Sequence, residues 1–233
     1  MIFLRQNLIK MKKIGAVLLL CIIGFQSSFS QQMQIDDSFV FELGLPNGFV
    51  NTPFKNIMQG VVYVSPIYQY TTKSGFLVGG GVHYSFFNIN QFRINQKING
   101  GMHNGAAFVK FGHERFWTAN LATDLSVKMG VAQSAFITDT LKSMGITYNA
   151  KQALYIEPNL GICLAADVNA SFRLTLGYAF YGFGFKPWDI GINSNLGNSA
   201  SELNRLSSYL IVGFGYSRYF NGKKSTNSGW DEE

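Results

Sequence analysis

The chain has 233 residues, 19 basic and 13 acidic, and a formal net charge of +6. Charged residues make up only 14% of it, against roughly 25% in an ordinary soluble domain, while glycine (25), phenylalanine (21) and tyrosine (11) are abundant. Arg5, Lys10, Lys12 and Lys13 all precede residue 31, so beyond that point 15 basic residues face 13 acidic ones, and the electrostatic case for a nucleic-acid partner lapses.

Residues 1–30 read as a secretory signal. Lys12 and Lys13 follow Met11, an apolar run extends from Ile14 to Phe25, and small residues Ser28 and Ser30 precede Gln31, which is the order of charge, apolar core and cleavage site in a signal peptide. The run falls short of the roughly 20 residues a spanning helix needs. Export with cleavage after Ser30 is therefore expected; the ten residues before Met11 either lengthen the signal's amino-terminal region or lie upstream of a start at Met11. Cys163 then remains alone, which excludes an intramolecular disulfide framework and suits a small buried apolar residue.

Eight period-two segments follow, at 38–45, 60–70, 75–87, 105–116, 120–132, 152–165, 171–183 and 205–220. Most exceed the roughly 9 to 11 residues with which a tilted strand crosses a bilayer. Their connections alternate: "TTKS", "WTA" and "ADVNA" are short, and the other four run to about 14, 17, 19 and 21 residues. Short turns at one end and long loops at the other, with an even strand count, describe a transmembrane antiparallel up-and-down β-barrel with both mature termini periplasmic.

Strand facing leads to the same fold. In "GFLVGGGVHYSFF", Phe76, Val78, Val82, Tyr84 and Phe86 share one face, and Gly79, Gly81, His83 and Ser85 the other. In "NLATDLSVKMGVA", Leu121, Leu125, Val127, Met129 and Val131 oppose Asp124, Ser126 and Lys128. The apolar face is expected to meet lipid and the polar face to fill a narrow lumen. That places Glu42, His83, Lys110, Glu114, Asp124, Lys128, Glu157 and Arg173 inside, where charges persist only when paired. Lys110 and Asp124 flank the "WTA" turn within direct or diagonal cross-strand reach. Pro66 and Pro158 each remove a ladder hydrogen bond, so a bulge is expected at both. His113 and Arg115 fall on the outward face, tolerable beside Phe116 and Trp117 in an interfacial girdle.

The last segment, "YLIVGFGYSRYF", has outward Leu210, Val212, Phe214 and Tyr216 and ends in Tyr219 and Phe220. It resembles the closing strand by which the barrel-assembly machinery recognises outer-membrane proteins. The stretch 31–220 as a whole is similar to small OmpA/OmpX-type barrels and to PorT-like outer-membrane proteins. The resemblance implies a cell outer membrane location, contact with its lipid and lipopolysaccharide, and the assembly machinery as a partner during biogenesis. The tail 221–233 is too short for a peptidoglycan-binding domain.

Catalytic signals are thin. His83 and Ser85 form an H-x-S pair similar to that of PagL-type lipid A deacylases, but no acidic residue follows until Glu114 and both face the lumen. His83, His103 and His113 lack metal-ligand spacing, and the "GGG" at 79–81 lacks the context of a phosphate loop. No cofactor is expected. Trp188, set among polar residues in the last long loop, is a candidate partner contact. The expectation is a non-enzymatic barrel with a plugged polar lumen, acting through surface loops or periplasmic rim in adhesion, envelope integrity or secretion. A narrow pore for ions or small solutes, and less so a lipid A-modifying enzyme, are the alternatives.

Overall fold

The computed structural model describes residues 36–94, 96–118, 120–167 and 169–220; the expected signal 1–30 and tail 221–233 lie outside them. Eight strands follow in chain order: β1 (Asp36–Gly48), β2 (Met58–Thr71), β3 (Phe76–Ile89), β4 (Gly100–Phe116), β5 (Leu121–Thr138), β6 (Asn149–Asp167), β7 (Ala170–Tyr181) and β8 (Ser208–Tyr219). Each pairs antiparallel with its sequence neighbours, and β8 closes on β1.

Several strands outrun the lengths expected from sequence. The inward series of β5 continues through Ser134, Phe136 and Thr138, so alternation persists where polar residues alone suggested a loop. The connections at one end shrink to 49–57, 90–99 and 139–148, leaving only 182–207 long. At the opposite end, the connections 72–75, 117–120 and 168–169 are short. Gly75, at φ +84°, takes the left-handed conformation that closes the first of them, donating to Thr72 O at 2.9 Å. We call these two ends the loop end and the turn end.

Closure fixes the shape. Stepping across paired residues from Asp36 to Thr71, Leu77, Gly112, Ser126, Asn159, Gly177 and Ile211 returns to β1 at Pro46, ten residues beyond the start. A shear of ten on eight strands corresponds to a tilt of about 41° and a radius of about 8 Å. Such an interior holds side chains and little else.

The prolines do not bulge the sheet. Register is the same on both sides of Pro66 and of Pro158, and the shifts fall instead between Gly60 and Val62 and between Ala165 and Asp167. Across from Pro66, the Val82 carbonyl accepts from Ser65 Oγ at 3.2 Å, a side-chain substitute for the missing ladder donor. At Gly60 a Cβ would lie 1.5 Å from the Pro46 carbonyl oxygen, so only glycine fits where β2 bulges toward β1.

Hydrophobicity is inverted relative to a soluble protein. On β6 the outward series Leu154, Ile156, Pro158, Leu160, Ile162 and Leu164 carries no polar side chain, while Glu157, Asn159 and Cys163 are buried inside. The ten residue steps from Leu154 to Leu164, at about 3.3 Å each and a tilt of about 41°, rise about 25 Å, the height of the apolar band on an outer-membrane barrel. Aromatic residues border this band at the turn end. Phe220 stacks on Tyr68 at 6.4 Å, and the Arg115 guanidinium lies 4.2 Å from the Trp117 ring centre. Trp117 Nε1 donates to Thr123 Oγ1 at 2.9 Å, and His113 Nε2 meets Ser74 O at 3.1 Å. His113 and Arg115 on the outward face of β4 are thus held at the turn-end rim, and His103 on the same face, toward the loop end, meets Tyr84 OH at 2.8 Å.

Candidate functional site

The lumen is organised in layers. Nearest the turn end, Lys110 Nζ donates to Asp124 Oδ2 at 2.7 Å and to Gln69 Oε1 at 3.0 Å. Arg173 Nη1 also binds Asp124, and its Nη2 lies 4.0 Å from Glu114 Oε1. Glu114 Oε2 accepts from Thr71 Oγ1 at 3.2 Å. Direct cross-strand partners here carry like charge, Glu114 opposite Asp124 and Lys110 opposite Lys128, an arrangement that destabilises a strand pair unless opposite charges intervene. They do intervene, because Lys110 reaches four residues along β5 to Asp124, further than the one-step diagonal expected from sequence.

At mid-height Lys128 Nζ sits between two carboxylates, 2.8 Å from Glu42 Oε2 and 2.8 Å from Glu157 Oε1, and 3.1 Å from Tyr63 OH. Glu157 also accepts from Tyr63 at 3.4 Å, from Tyr155, and from Asn159 Nδ2 at 3.2 Å. Gly177 makes room for it, since a Cβ there would come within 2.8 Å of Glu157 Oε1. The seven charged side chains of these two layers are all essentially inaccessible to solvent.

Above them the lumen turns neutral and aromatic. His83 Nε2 meets Tyr181 OH at 3.1 Å, and its ring packs 4.7 Å from Tyr155. Ser85 Oγ meets Tyr209 OH at 3.2 Å. Asn104 Nδ2 donates to Tyr181 OH at 2.7 Å and to Ser85 Oγ at 3.2 Å, while its Oδ1 accepts from Ser134 Oγ at 2.9 Å. His83 and Ser85 therefore both face the lumen, each bound to a different tyrosine. Tyr63, Tyr155, Tyr181, Tyr209 and Asn104 were not singled out from sequence. Their parity on the strands, which places each on the same face as a charged or hydroxyl residue, was the available signal.

An apolar cap closes the loop end. Helix α1 (Thr52–Ile57) buries Phe54 and Ile57, with Phe54 5.1 Å from Phe87 and 5.7 Å from Phe185. Buried Asn51 accepts from Phe54 N at 2.9 Å as the N-cap of α1 and donates to Arg205 O at 2.7 Å, tying α1 to the last connection. That connection is held again where Thr138 Oγ1 donates to Ile190 O at 3.1 Å and Lys151 pairs with Asp189 at 2.6 Å. Helix α2 (Asp139–Ser143) crowns the β5–β6 connection, and α3 (Ala200–Leu203) lies in 182–207. Asn99 donates from its backbone and side chain to Asp139 at 3.0 and 2.9 Å. The Asn99 backbone N–H is the main reason the Asp139 carboxyl lies below its usual range. Capping bonds from Ser199 act on Glu202 in the same direction.

Trp188 is half-exposed, with Lys186 Nζ 5.0 Å from its ring centre, while Pro187, Asp189 and Ile190 beside it are buried. On β8, Phe214 and Tyr216 face outward, as does Phe220 just beyond the strand, and Tyr219 takes the inward parity with its hydroxyl 3.3 Å from Ser171 Oγ. Among the described residues no group of His, Cys, Asp and Glu is arranged to hold a metal ion.

No family model and no curated protein matches the chain. Among solved structures it is similar to Neisserial surface protein A, with a TM-score of 0.49 and 8% identity over 79% of this chain and 97% of that one. It is also similar to a major outer membrane protein from Thermus thermophilus, with a TM-score of 0.46 and 14% identity over 79% and 99%. The attachment invasion locus protein Ail of Yersinia pestis gives 0.45 and 10% over 79% and 99%. The fold rests on the chain's own closure, shear and apolar outer band, which give it the architecture of a small eight-stranded antiparallel transmembrane β-barrel of the OmpA/OmpX shape.

Proposed function

We propose that this chain is a non-enzymatic protein of the outer membrane, a closed scaffold that presents its loop end at the cell surface for recognition of a partner. The observation that carries the reading is the filled lumen. Lys110, Lys128 and Arg173 are paired with Asp124, Glu42, Glu157 and Glu114 inside the wall, and Phe54, Phe87, Phe136 and Phe185 close one end. A solute would have to displace both layers. Binding residues commonly sit on loops held by a rigid scaffold, and here the loop end alone carries connections long enough for helices.

Purified barrel reconstituted in planar bilayers should give no steady single-channel conductance, whereas a reproducible unitary current would replace this reading with that of a narrow pore. Removing 184–204 is a poor test of the loops, because Phe185, Ile190, Ile192 and Leu203 are buried there. Replacing exposed Trp188 with Ala leaves the cap intact and isolates the contact role. An unchanged lipid A profile in cells carrying Ser85→Ala is expected for a non-enzymatic barrel.

A further inference from the structure

We infer that the tied connections at the loop end form a docking surface for an acidic polypeptide that carries aromatic or aliphatic side chains among its carboxylates. The inference deepens the reading above and rests on it, since both require the loop end to face the cell surface. Three segments make up the surface. Asn99 binds Asp139 through its backbone and its side chain, joining 90–99 to 139–148. Thr138 Oγ1 donates to Ile190 O at 3.1 Å and Asn149 Nδ2 to Asp189 O at 3.4 Å, joining 139–148 to the turn Pro187–Ile190. Packing at that junction is close, for a Cβ on Gly191 would lie 2.8 Å from Thr140 Cγ2.

Height decides what this surface meets. The apolar band ends at Leu154, and β6 extends five residues further to Asn149. At about 3.3 Å per residue and a tilt of about 41°, the 139–148 connection joins β6 about 12 Å beyond the hydrocarbon. Apolar side chains are nonetheless exposed there: Phe92 fully, and Met144, Ile146, Tyr148 and Trp188 by 44–57%. Acyl chains do not reach them, and a cluster of this kind on three tied segments marks a place where another molecule excludes the water. Trp, Tyr, Phe and Met are also the residue types enriched at protein–protein interfaces.

Charge gives the partner its sign. Arg93, Lys97 and Lys142 are exposed on the same connections, and Lys186 Nζ lies 5.0 Å from the Trp188 ring centre. The acidic residues of the three segments, Asp139 and Asp189, are already bound, the first by Asn99 and Thr140 and the second by Lys151. A partner's carboxylates therefore find cations without local competitors, while its apolar side chains find the exposed aromatic and aliphatic ones. A sulfated or phosphorylated glycan would engage the cations but leave Met144 and Ile146 facing water, so the mixed surface favours a polypeptide.

The test uses full-chain protein folded in detergent micelles, with a random glutamate–tyrosine copolymer, polyglutamate and dextran sulfate as separate probes of matched length. The copolymer should bind at least tenfold more tightly than either polyanion at the same salt. Replacing Tyr148 and Trp188 with Ser should remove that preference, and Phe92→Ser alone, at a fully exposed side chain, should weaken copolymer binding severalfold. Replacing Arg93, Lys97 and Lys142 with Ala should weaken it at least tenfold. All these side chains project into solvent, so each variant should keep the gel mobility shift of the folded barrel.

Equal binding of copolymer and polyglutamate, tighter binding of dextran sulfate, or a preference that survives in the folded aromatic variants overturns the inference. Recordings in planar bilayers separate it from the reading above. Steady conductance by a barrel that still prefers the copolymer overturns the closed scaffold and leaves the docking surface standing. A closed barrel with no preference overturns the docking surface alone.

Discussion

Lys128 is the residue on which the lumen's electrostatics turn, and Lys128→Met is the most informative single perturbation. The substitution keeps most of the side-chain volume and removes the Nζ contacts to Glu42 and Glu157, both 2.8 Å, and to Tyr63 at 3.1 Å. Glu157 retains Tyr63, Tyr155 and Asn159 as donors. Glu42 has no other donor among the described residues. Removing one partner of a buried ion pair costs about 3–5 kcal/mol, and the unsupported Glu42 should incur that cost while Glu157 is partly sustained. The expected loss is about 4 kcal/mol, or roughly a thousandfold in the unfolding equilibrium at about 1.4 kcal/mol per decade. Urea unfolding in lipid-containing micelles, followed by tryptophan fluorescence and gel mobility, measures it. Adding Glu42→Gln to Lys128→Met should recover at least half of the loss, since it removes the stranded charge. A loss under about 1 kcal/mol, or no recovery in the double variant, would refute the argument that this lysine is balanced chiefly by Glu42 and Glu157.

Three other outcomes follow from neighbouring features. Gly177→Ala places a Cβ 2.8 Å from Glu157 Oε1 and should lower stability by about 1–3 kcal/mol through overpacking, read in the same urea titration. Asn51→Ala removes the α1 N-cap and the bond to Arg205 O; a cost of about 1–2 kcal/mol should appear as faster proteolysis within 182–207, with the barrel core still resistant. The Asn99–Asp139 tie should be pH-dependent. Because the folded Asp139 carboxyl is held below its usual range, its stabilisation is complete above the unfolded value and disappears as pH falls through the lower folded one. Amide exchange at Asn99 should therefore accelerate on acidification, and Asp139→Asn should abolish that pH dependence.

Much of the barrel is legible in the chain because its two surfaces demand opposite chemistry at period two. Asp124, Ser126 and Lys128 against Leu125, Val127 and Met129 already state which side of β5 is which. What the pattern hides are contacts between strands remote in sequence. His83 meets Tyr181 across 98 residues and Lys128 meets Glu42 across 86, and no local spacing signals either. Tyrosine adds an ambiguity, because its ring suits lipid and its hydroxyl suits a polar lumen. Tyr84 points outward whereas Tyr155 and Tyr209 are buried inside, and strand parity alone separates them. The expected bulge at Pro66 failed for a related reason. A missing N–H need not distort the sheet when a neighbouring hydroxyl, here Ser65, satisfies the carbonyl opposite.

Where charge is spent, and where it is left over, narrows the kind of partner this scaffold can take. Inside, three cations and four carboxylates serve one another. At the loop end the acidic residues are likewise engaged in holding the fold: Asp139 binds Asn99, Asp189 binds Lys151, and Glu202 completes the capping box of α3. The cations Lys55, Arg93, Lys97 and Lys142 in the first three connections have no such engagement among the described residues, and all four are exposed. Neighbouring carboxylates already committed to backbone and side-chain donors leave these charges to act outward, over a range of about 8 Å at physiological salt. An anionic partner is drawn to that surface and a cationic one repelled, so binding at the loop end should weaken as salt rises. Ligands recognised by shape alone would bind without that dependence, and a salt titration therefore distinguishes the two modes of recognition before any partner is named.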